Sequence, residues 1–451
     1  MTNPPYDKTS IASIVDYAKG LTGKTLRDFM LSDEIAGLTQ NVKNKGDLGN
    51  LVERFYFDIN PGNSPKPDFP DAGLELKTAA VERYVKPRNG LIFHSKDRLK
   101  LSRINYGKVG NEVWDVNSLF QKCERILLLM SLYDGELEVI DRLFILNPIL
   151  WELPDKDLEF IKADWEIIQQ KIENGLAHEL SGSDTKYLEA CTSGKGDMLK
   201  QPFSDELAIE RSFAFKSSYV TNSFLASIQH VEELEPVLKD GESPKDFEAI
   251  ITSRVSNYKN QPINGIARSI SYELSASKQR LALLSYKMLG IKSGKAEEFV
   301  KSGIEIKTVN FGPSGTPVQD TSFPAFSYMD TVNEEWEDST FKQKIDTKIL
   351  FMIYETDANG LVYFRAAHFW SMPKADFEEA ERVWQETKQR IIDGRANDLP
   401  KKGFSEVAHV RNHGATSRLE HQIDTPLNGK LPAMCFWLNS QYVKKQLGHL
   451  L

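Results

Sequence analysis

Cysteine is nearly absent: Cys123, Cys191 and Cys435 are the only three in 451 residues. They are scattered and lack metal-ligand spacing, which excludes a disulfide framework and a thiolate zinc site and fits a reducing cytoplasm. Long apolar runs are lacking too. Runs such as Ile126 to Met130 are far too short to cross a bilayer, so no membrane partner is expected. The chain opens Met1-Thr2-Asn3-Pro4-Pro5, without the basic-then-apolar order of a secretory signal, and a cytoplasmic protein is expected. Positive charge is in deficit, with 56 Lys and Arg against 64 Asp and Glu and a net charge of −8. That balance argues mildly against a nucleic-acid binder, but it is compatible with local basic loops around an acidic metal site. No glycine-rich cofactor loop follows a strand pattern, which sets a methyltransferase aside.

What remains is an ordinary globular composition, 40% hydrophobic and 27% charged, in a chain long enough for two or three domains. Its most informative stretch is Lys66-Pro67-Asp68-Phe69-Pro70-Asp71-Ala72-Gly73-Leu74-Glu75-Leu76-Lys77. Leu74 to Lys77 alternates apolar and charged, the period of a half-buried strand, which puts Glu75 and Lys77 on one face. Pro65 and Pro67 force an extended approach that delivers Asp68 just before the strand. Two carboxylates beside an ammonium can hold a hard divalent cation such as Mg²⁺ and orient a water against a phosphodiester. The spacing alone is expected about once by chance in a chain so rich in charge. The surroundings of the motif have to decide.

Residues 67–78 resemble the active-site motif of the mismatch-repair endonuclease MutH, and equally that of the GATC-cutting type II restriction endonucleases of the Sau type, which share its fold. Lys45-Gly46-Asp47-Leu48-Gly49-Asn50-Leu51-Val52-Glu53 is similar to the family's K-G-x-x-G-x-L-(L/V)-E helix and adds a third carboxylate, Glu53. Ser95 to Leu99, Ile104-Asn105-Tyr106, Trp114, Gln121-Lys122, Asp164-Trp165-Glu166, Gly175, Tyr187-Leu188 and Arg211 to Lys216 follow in the family's order. The resemblance implies a PD-(D/E)xK nuclease with Asp68 and Glu75 as Mg²⁺ ligands and Glu53 beside them. Lys77 would orient the attacking water and offset charge on the scissile phosphate, with Lys122 a further basic group of the site. Base contact is implied for Lys45-Gly46 and for the loop after Tyr187-Leu188. There the MutH Arg-Pro pair is replaced by Cys191-Thr192, as in Sau-type enzymes, which favours restriction over repair. Arg211 and Lys216 are expected as phosphate or site-framing contacts.

Along the chain, apolar periodicity predicts helices over 10–30, 46–58 and 155–176. Strands are expected near 73–79, 90–94, 97–103, 125–133 and 213–221, an α/β (mixed α+β) nuclease core. An acidic, breaker-rich linker is expected over 236–246, between a catalytic domain at 1–235 and a second domain at 247–451. The second half then repeats the first. Trp165 and Gly175 recur as Trp384 and Gly394 without a gap, Asn111 to Trp114 as Asn333 to Trp336, and Phe213 as Phe436. Gly73-Leu74-Glu75-Leu76-Lys77-Thr78 recurs as Gly303-Ile304-Glu305-Ile306-Lys307-Thr308. Two tandem copies of one fold are therefore expected.

The copies differ chemically. Glu298 falls where the first half has Asp68, Leu283 where it has Glu53, and Asn439 where it has Lys216. Mg²⁺ demands near-ideal octahedral geometry, so the second copy is expected to be catalytically inactive and to bind DNA as an effector. His409-Val410-Arg411 keeps an arginine in the base-contacting loop, making Arg411 the candidate base contact of that copy. By resemblance, the target is double-stranded DNA at GATC, cut before the G by a monomer or a DNA-induced dimer that engages two sites at once. A MutH-like nicking enzyme of mismatch repair and a decayed DNA-binding protein are the alternatives.

Overall fold

The computed structural model describes residues 5–38, 45–62, 64–86, 90–193, 196–229, 234–412 and 422–451. It divides into two compact units, Met1–Glu232 and Glu233–Leu451.

The N-terminal unit is built on a four-stranded sheet in the order Gly90–Ser95, Glu75–Lys86, Arg125–Leu132, Ile149–Glu152. The middle strands run parallel, with Glu75 opposite Ile126 and Lys77 opposite Leu128, and the outer strands are antiparallel. Arg125–Leu132 is buried on both faces, which is why it reads as a continuous apolar run. Leu74, Leu76, Leu127 and Leu129 are at most 2% exposed and pack with Ile14, Val52 and Phe57. Burying each such side chain is worth about 1.5–3 kcal/mol. A one-residue slip would drive Glu75 and Lys77 into that core, so burial fixes the register that the site needs. A second, antiparallel sheet places Arg211–Phe215 between Leu99–Arg103 and Leu188–Thr192.

Three elements depart from the sequence-based expectation. The first helix is Ile11–Ala18 and not 10–30, because the glycines interrupt it; Gly23 takes a φ of 76°. The helix expected over 46–58 runs Lys45–Leu51 and continues as a π-helical turn, Val52–Tyr56. The strand expected over 213–221 stops at Phe215, and the chain enters a short helix at Ser217–Tyr219.

The C-terminal unit repeats the plan. Glu305–Phe311 runs parallel to Ile349–Thr356, with Glu305 opposite Ile349 and Lys307 opposite Phe351, and Val362–Trp370 completes the sheet. Met434–Leu438 lies between Thr321–Ala325 and Ala408–Asn412 in the second sheet. Side-chain pairs repeat as well as strands. The Trp114–Trp165 and Trp336–Trp384 ring centroids are both 5.7 Å apart. Tyr219 donates to Asp157 at 2.9 Å, and Tyr442 to Asp376 at 2.8 Å. The protein is thus a mixed α/β fold in two tandem copies. Residues 236–246, expected as a linker, are built into the second copy: Val237 is 4% exposed in its core. Among the described residues no helix is long and apolar enough to cross a membrane.

Candidate active site

A tight turn makes the first half of the site. Pro70 to Gly73, with Gly73 at a φ of 60°, sets Phe69 opposite Leu74, whose amides and carbonyls pair at 2.9 and 3.2 Å. Both side chains are buried. That bridge folds Asp68 alongside Glu75. The Asp68 amide donates to Glu75 Oε2 at 3.3 Å, and the Leu76 amide donates to Asp68 Oδ2 at 2.9 Å.

Two lysines converge on the same carboxylate. Lys77 donates to Glu75 Oε1, and Lys122 Nζ reaches that oxygen at 3.2 Å. Lys122 belongs to helix Ser118–Cys123, which leads directly into Arg125–Leu132, the parallel neighbour of the Glu75 strand. Glu53 comes from the π-helical turn. The helix packs on the strand at Gly49, where a Cβ would lie at 3.4 Å, ordinary contact distance, from Thr78 Oγ1. Glu53, Asp68, Glu75, Lys77 and Lys122 therefore form one electrostatic cluster.

Burial pushes the Glu53 carboxyl up to about 7, and the charges of Asp68 and Glu75 add to the effect. Glu75 is raised for the same reasons, burial first, despite Lys77 and Lys122. Burial disfavours the Lys77 ammonium, but Glu75, Asp68 and Glu53 outweigh it and raise its pKa, so Lys77 is a cation here. Among the described residues no group of three or more His, Cys, Asp or Glu is placed to hold a metal ion. Mg²⁺ does not require such a cage, because it commonly takes one or two carboxylates and completes its shell with water and substrate phosphate. Asp68 and Glu75 are the pair that could hold a hard dication, with Glu53 as the third charge nearby.

The remaining site residues are placed as follows. Lys45 and Gly46 open the helix that carries Glu53, and the Lys45 side chain lies outside the described residues. Cys191 is buried opposite Ser212, and Thr192 is half-buried at the strand end. Arg211 Nη1 donates to the Ala190 carbonyl at 2.6 Å, tying the two strands together. Lys216 is buried and donates at 2.7 Å to the carbonyls of both Gly182 and Thr185, which makes it a brace inside the fold and not a phosphate contact. Asn439 does the same in the second copy, donating to the Ser405 and Glu406 carbonyls at 2.7 and 3.0 Å. Truncating Lys216 to alanine removes two buried hydrogen bonds. The expected loss is about 2–4 kcal/mol, read from the midpoint of denaturant unfolding.

In the C-terminal unit, Glu298 does not take the place of Asp68. Its segment is a helix, Glu297–Ser302, and not an extended loop, and its carboxylate accepts the Val237 and Leu238 amides at 2.7 and 3.0 Å. Leu283 sits on helix Arg280–Leu289 and supplies no charge. Glu305 instead pairs with Lys307 at 2.8 Å and Lys344 at 3.0 Å. Sequence reasoning missed Lys344, although the signal was present: it follows Trp336 at the same interval that Lys122 follows Trp114. Arg411 occupies the strand position of Cys191, pairing with Cys435 as Cys191 pairs with Ser212. Its guanidinium lies 4.0 Å over the Trp437 ring and 3.7 Å from Asp320, and its side chain is 45% exposed.

The family described as the DNA mismatch repair enzyme MutH matches residues 57–164 and 289–382, one segment in each unit. The type II restriction enzyme Sau3AI of Staphylococcus aureus is 30% identical over 96% of this chain and 97% of its own length. The DNA mismatch repair protein MutH of Shewanella woodyi is 26% identical over 43% of this chain and 79% of its own. That of Yersinia enterocolitica is 25% identical over 41% and 77%.

Proposed function

The chain belongs to the family of MutH-like site-specific endonucleases that includes the restriction enzyme Sau3AI, and from that premise we propose that it makes Mg²⁺-dependent double-strand cuts at 5′-GATC-3′, before the G, as part of a restriction system. One observation favours restriction over repair. The restriction enzyme matches this chain across both units, whereas the mismatch-repair relatives cover well under half of it. A second unit is part of the restriction relative's plan.

Chemically, Mg²⁺ held by Asp68 and Glu75 would lower the pKa of a bound water and neutralise charge on the phosphate. Lys77, already an ammonium, donates to the scissile phosphate or to the attacking water as charge builds there. Lys122 shares Glu75 Oε1 with Lys77 and helps keep that carboxylate oriented. Glu53 tunes the total charge. The C-terminal unit, short of Asp68 and Glu53 equivalents, binds a second GATC duplex and raises the activity of the first unit.

The test is incubation of the purified protein with Mg²⁺ and a plasmid carrying several GATC sites. Discrete fragments with four-base GATC overhangs are expected. Nicks alone would support the repair reading, and an intact but gel-shifted plasmid would mean a binding module.

A second expectation concerns the metal directly. Glu53 keeps its proton in the folded, metal-free protein up to about 7, well above its ordinary carboxyl value. Across that window the folded state binds more protons than the unfolded one, so stability without metal falls as pH rises. Mg²⁺ should therefore raise the melting temperature at about pH 8 and hardly at all at about pH 5, with proton release measurable on binding. An equal Mg²⁺ shift at both pH values would remove Glu53 from the metal's surroundings.

A further inference from the structure

We propose that the pseudo-active site of the C-terminal unit is a metal-free anion clamp, in which Lys307 and Lys344 grip a backbone phosphate of the second DNA duplex. This deepens, and rests on, the reading that the C-terminal unit binds DNA. The first ground is the sign of the local charge. In the N-terminal unit three carboxylates, Glu53, Asp68 and Glu75, surround two lysines, Lys77 and Lys122. In the C-terminal unit the same strand and helix positions bring together one carboxylate, Glu305, and two lysines, Lys307 and Lys344. Glu298 is turned onto the Val237 and Leu238 amides, and Leu283 is apolar. The duplicated frame has exchanged a cation site for a cationic one.

The second ground is access. Glu75 and Lys122 side chains are 0% and 9% exposed, whereas Glu305 and Lys344 are 31% and 38% exposed. Lys307 is pinned by the Ser322 carbonyl at 2.8 Å and by Glu305, so its ammonium is held in position before any ligand arrives. Lone ammonium groups bind phosphate oxygens as point charges, and two beside one carboxylate leave a net positive charge for them. The same pair repels a dication, and one carboxylate is a poor start for an octahedral shell.

The experiment uses the full chain and a labelled GATC duplex in EDTA, with fluorescence anisotropy read across a salt series. The wild type should bind two duplexes. Lys307→Ala with Lys344→Ala should weaken the second about tenfold or more and flatten its salt slope by about one phosphate, leaving the first unchanged. Glu305→Gln separates the alternatives by sign: it removes the carboxylate that pairs both lysines, so the second duplex should bind several-fold tighter in EDTA, whereas at a metal site the same change would weaken binding in Ca²⁺. The clamp is overturned if the lysine variant binds the second duplex with an unaltered slope, or if that binding requires Ca²⁺ or Mg²⁺. A wild type that binds one duplex only would instead overturn the two-unit reading, and the clamp with it.

Discussion

Replacing Lys77 with alanine should lower the cleavage rate by about three orders of magnitude or more while duplex binding survives. Lys77 is the ammonium nearest the paired carboxylates; it is held by Glu75 and by the Leu76 carbonyl at 3.2 Å. In the proposed mechanism its charge offsets the negative charge that builds on a pentacovalent phosphate. Removing a single positioned donor to such a centre costs about 10²–10³ in rate, and a cation in a water-poor site belongs at the upper end. The ground state gains nothing from it, because without Lys77 the mutual repulsion of Asp68, Glu75 and Glu53 grows and a metal should bind at least as well. The signature is therefore a fallen single-turnover rate with an unchanged or lower Mg²⁺ requirement. Asp68→Asn should show the reverse pattern, a raised Mg²⁺ requirement with part of the rate recovered at high metal. Lys122→Ala, which acts through Glu75 and through the charge balance at Glu53, should cost about tenfold. A Lys77→Ala protein cutting within about tenfold of wild type would move the catalytic charge to another residue.

Much of that site was legible in the sequence, and for identifiable reasons. The alternation of Leu74, Glu75, Leu76 and Lys77 set the strand face, since side-chain direction along a strand is local. Pro65 and Pro67 announced the extended approach that delivers Asp68, whereas the turn at Pro70 to Gly73 that folds it alongside Glu75 came only from the structure. Lys122 could be named only by resemblance, because its closeness to Glu75 is created by the parallel pairing of Glu75–Lys86 with Arg125–Leu132. Glu298 shows where counting fails. A fixed interval before Glu305 presumes the same backbone as in the first copy, but Glu297–Ser302 is a helix, and its turn rate sends the carboxylate elsewhere. Lys216 was expected as a phosphate or site-framing contact, and its bonds to two buried carbonyls give it the framing role. The residues at 236–246 look like a linker by composition, yet Val237 is a core residue and Arg254 donates to its carbonyl at 2.8 Å. In each of these cases tertiary contacts decided what composition alone could not.

A plasmid with two GATC sites should be cut about tenfold faster than the same plasmid with one, and Arg411→Ala should erase the difference. On the proposed reading one catalytic unit faces a palindrome, and the other unit, without counterparts of Asp68 and Glu53, contributes through binding. Sites on one DNA molecule meet at an effective concentration set by the intervening length, which favours loading both units over loading from free DNA. Coupling free energies between sites are typically 1–3 kcal/mol, about 5–150-fold in affinity, which brackets the expected stimulation. Arg411 is the right probe because its guanidinium is oriented before DNA arrives, stacked on Trp437 and steered by Asp320, which also holds Lys402 at 2.6 Å. Such a planar fork suits the two acceptors on a guanine edge. Truncating it should leave the one-site rate intact, since Arg411 belongs to the second unit and the catalytic cluster to the first. Added short GATC duplex should restore the one-site plasmid in wild type and fail to do so in the variant. Equal cutting of both plasmids by wild type, or stimulation that persists without Arg411, would leave the second copy without the effector role.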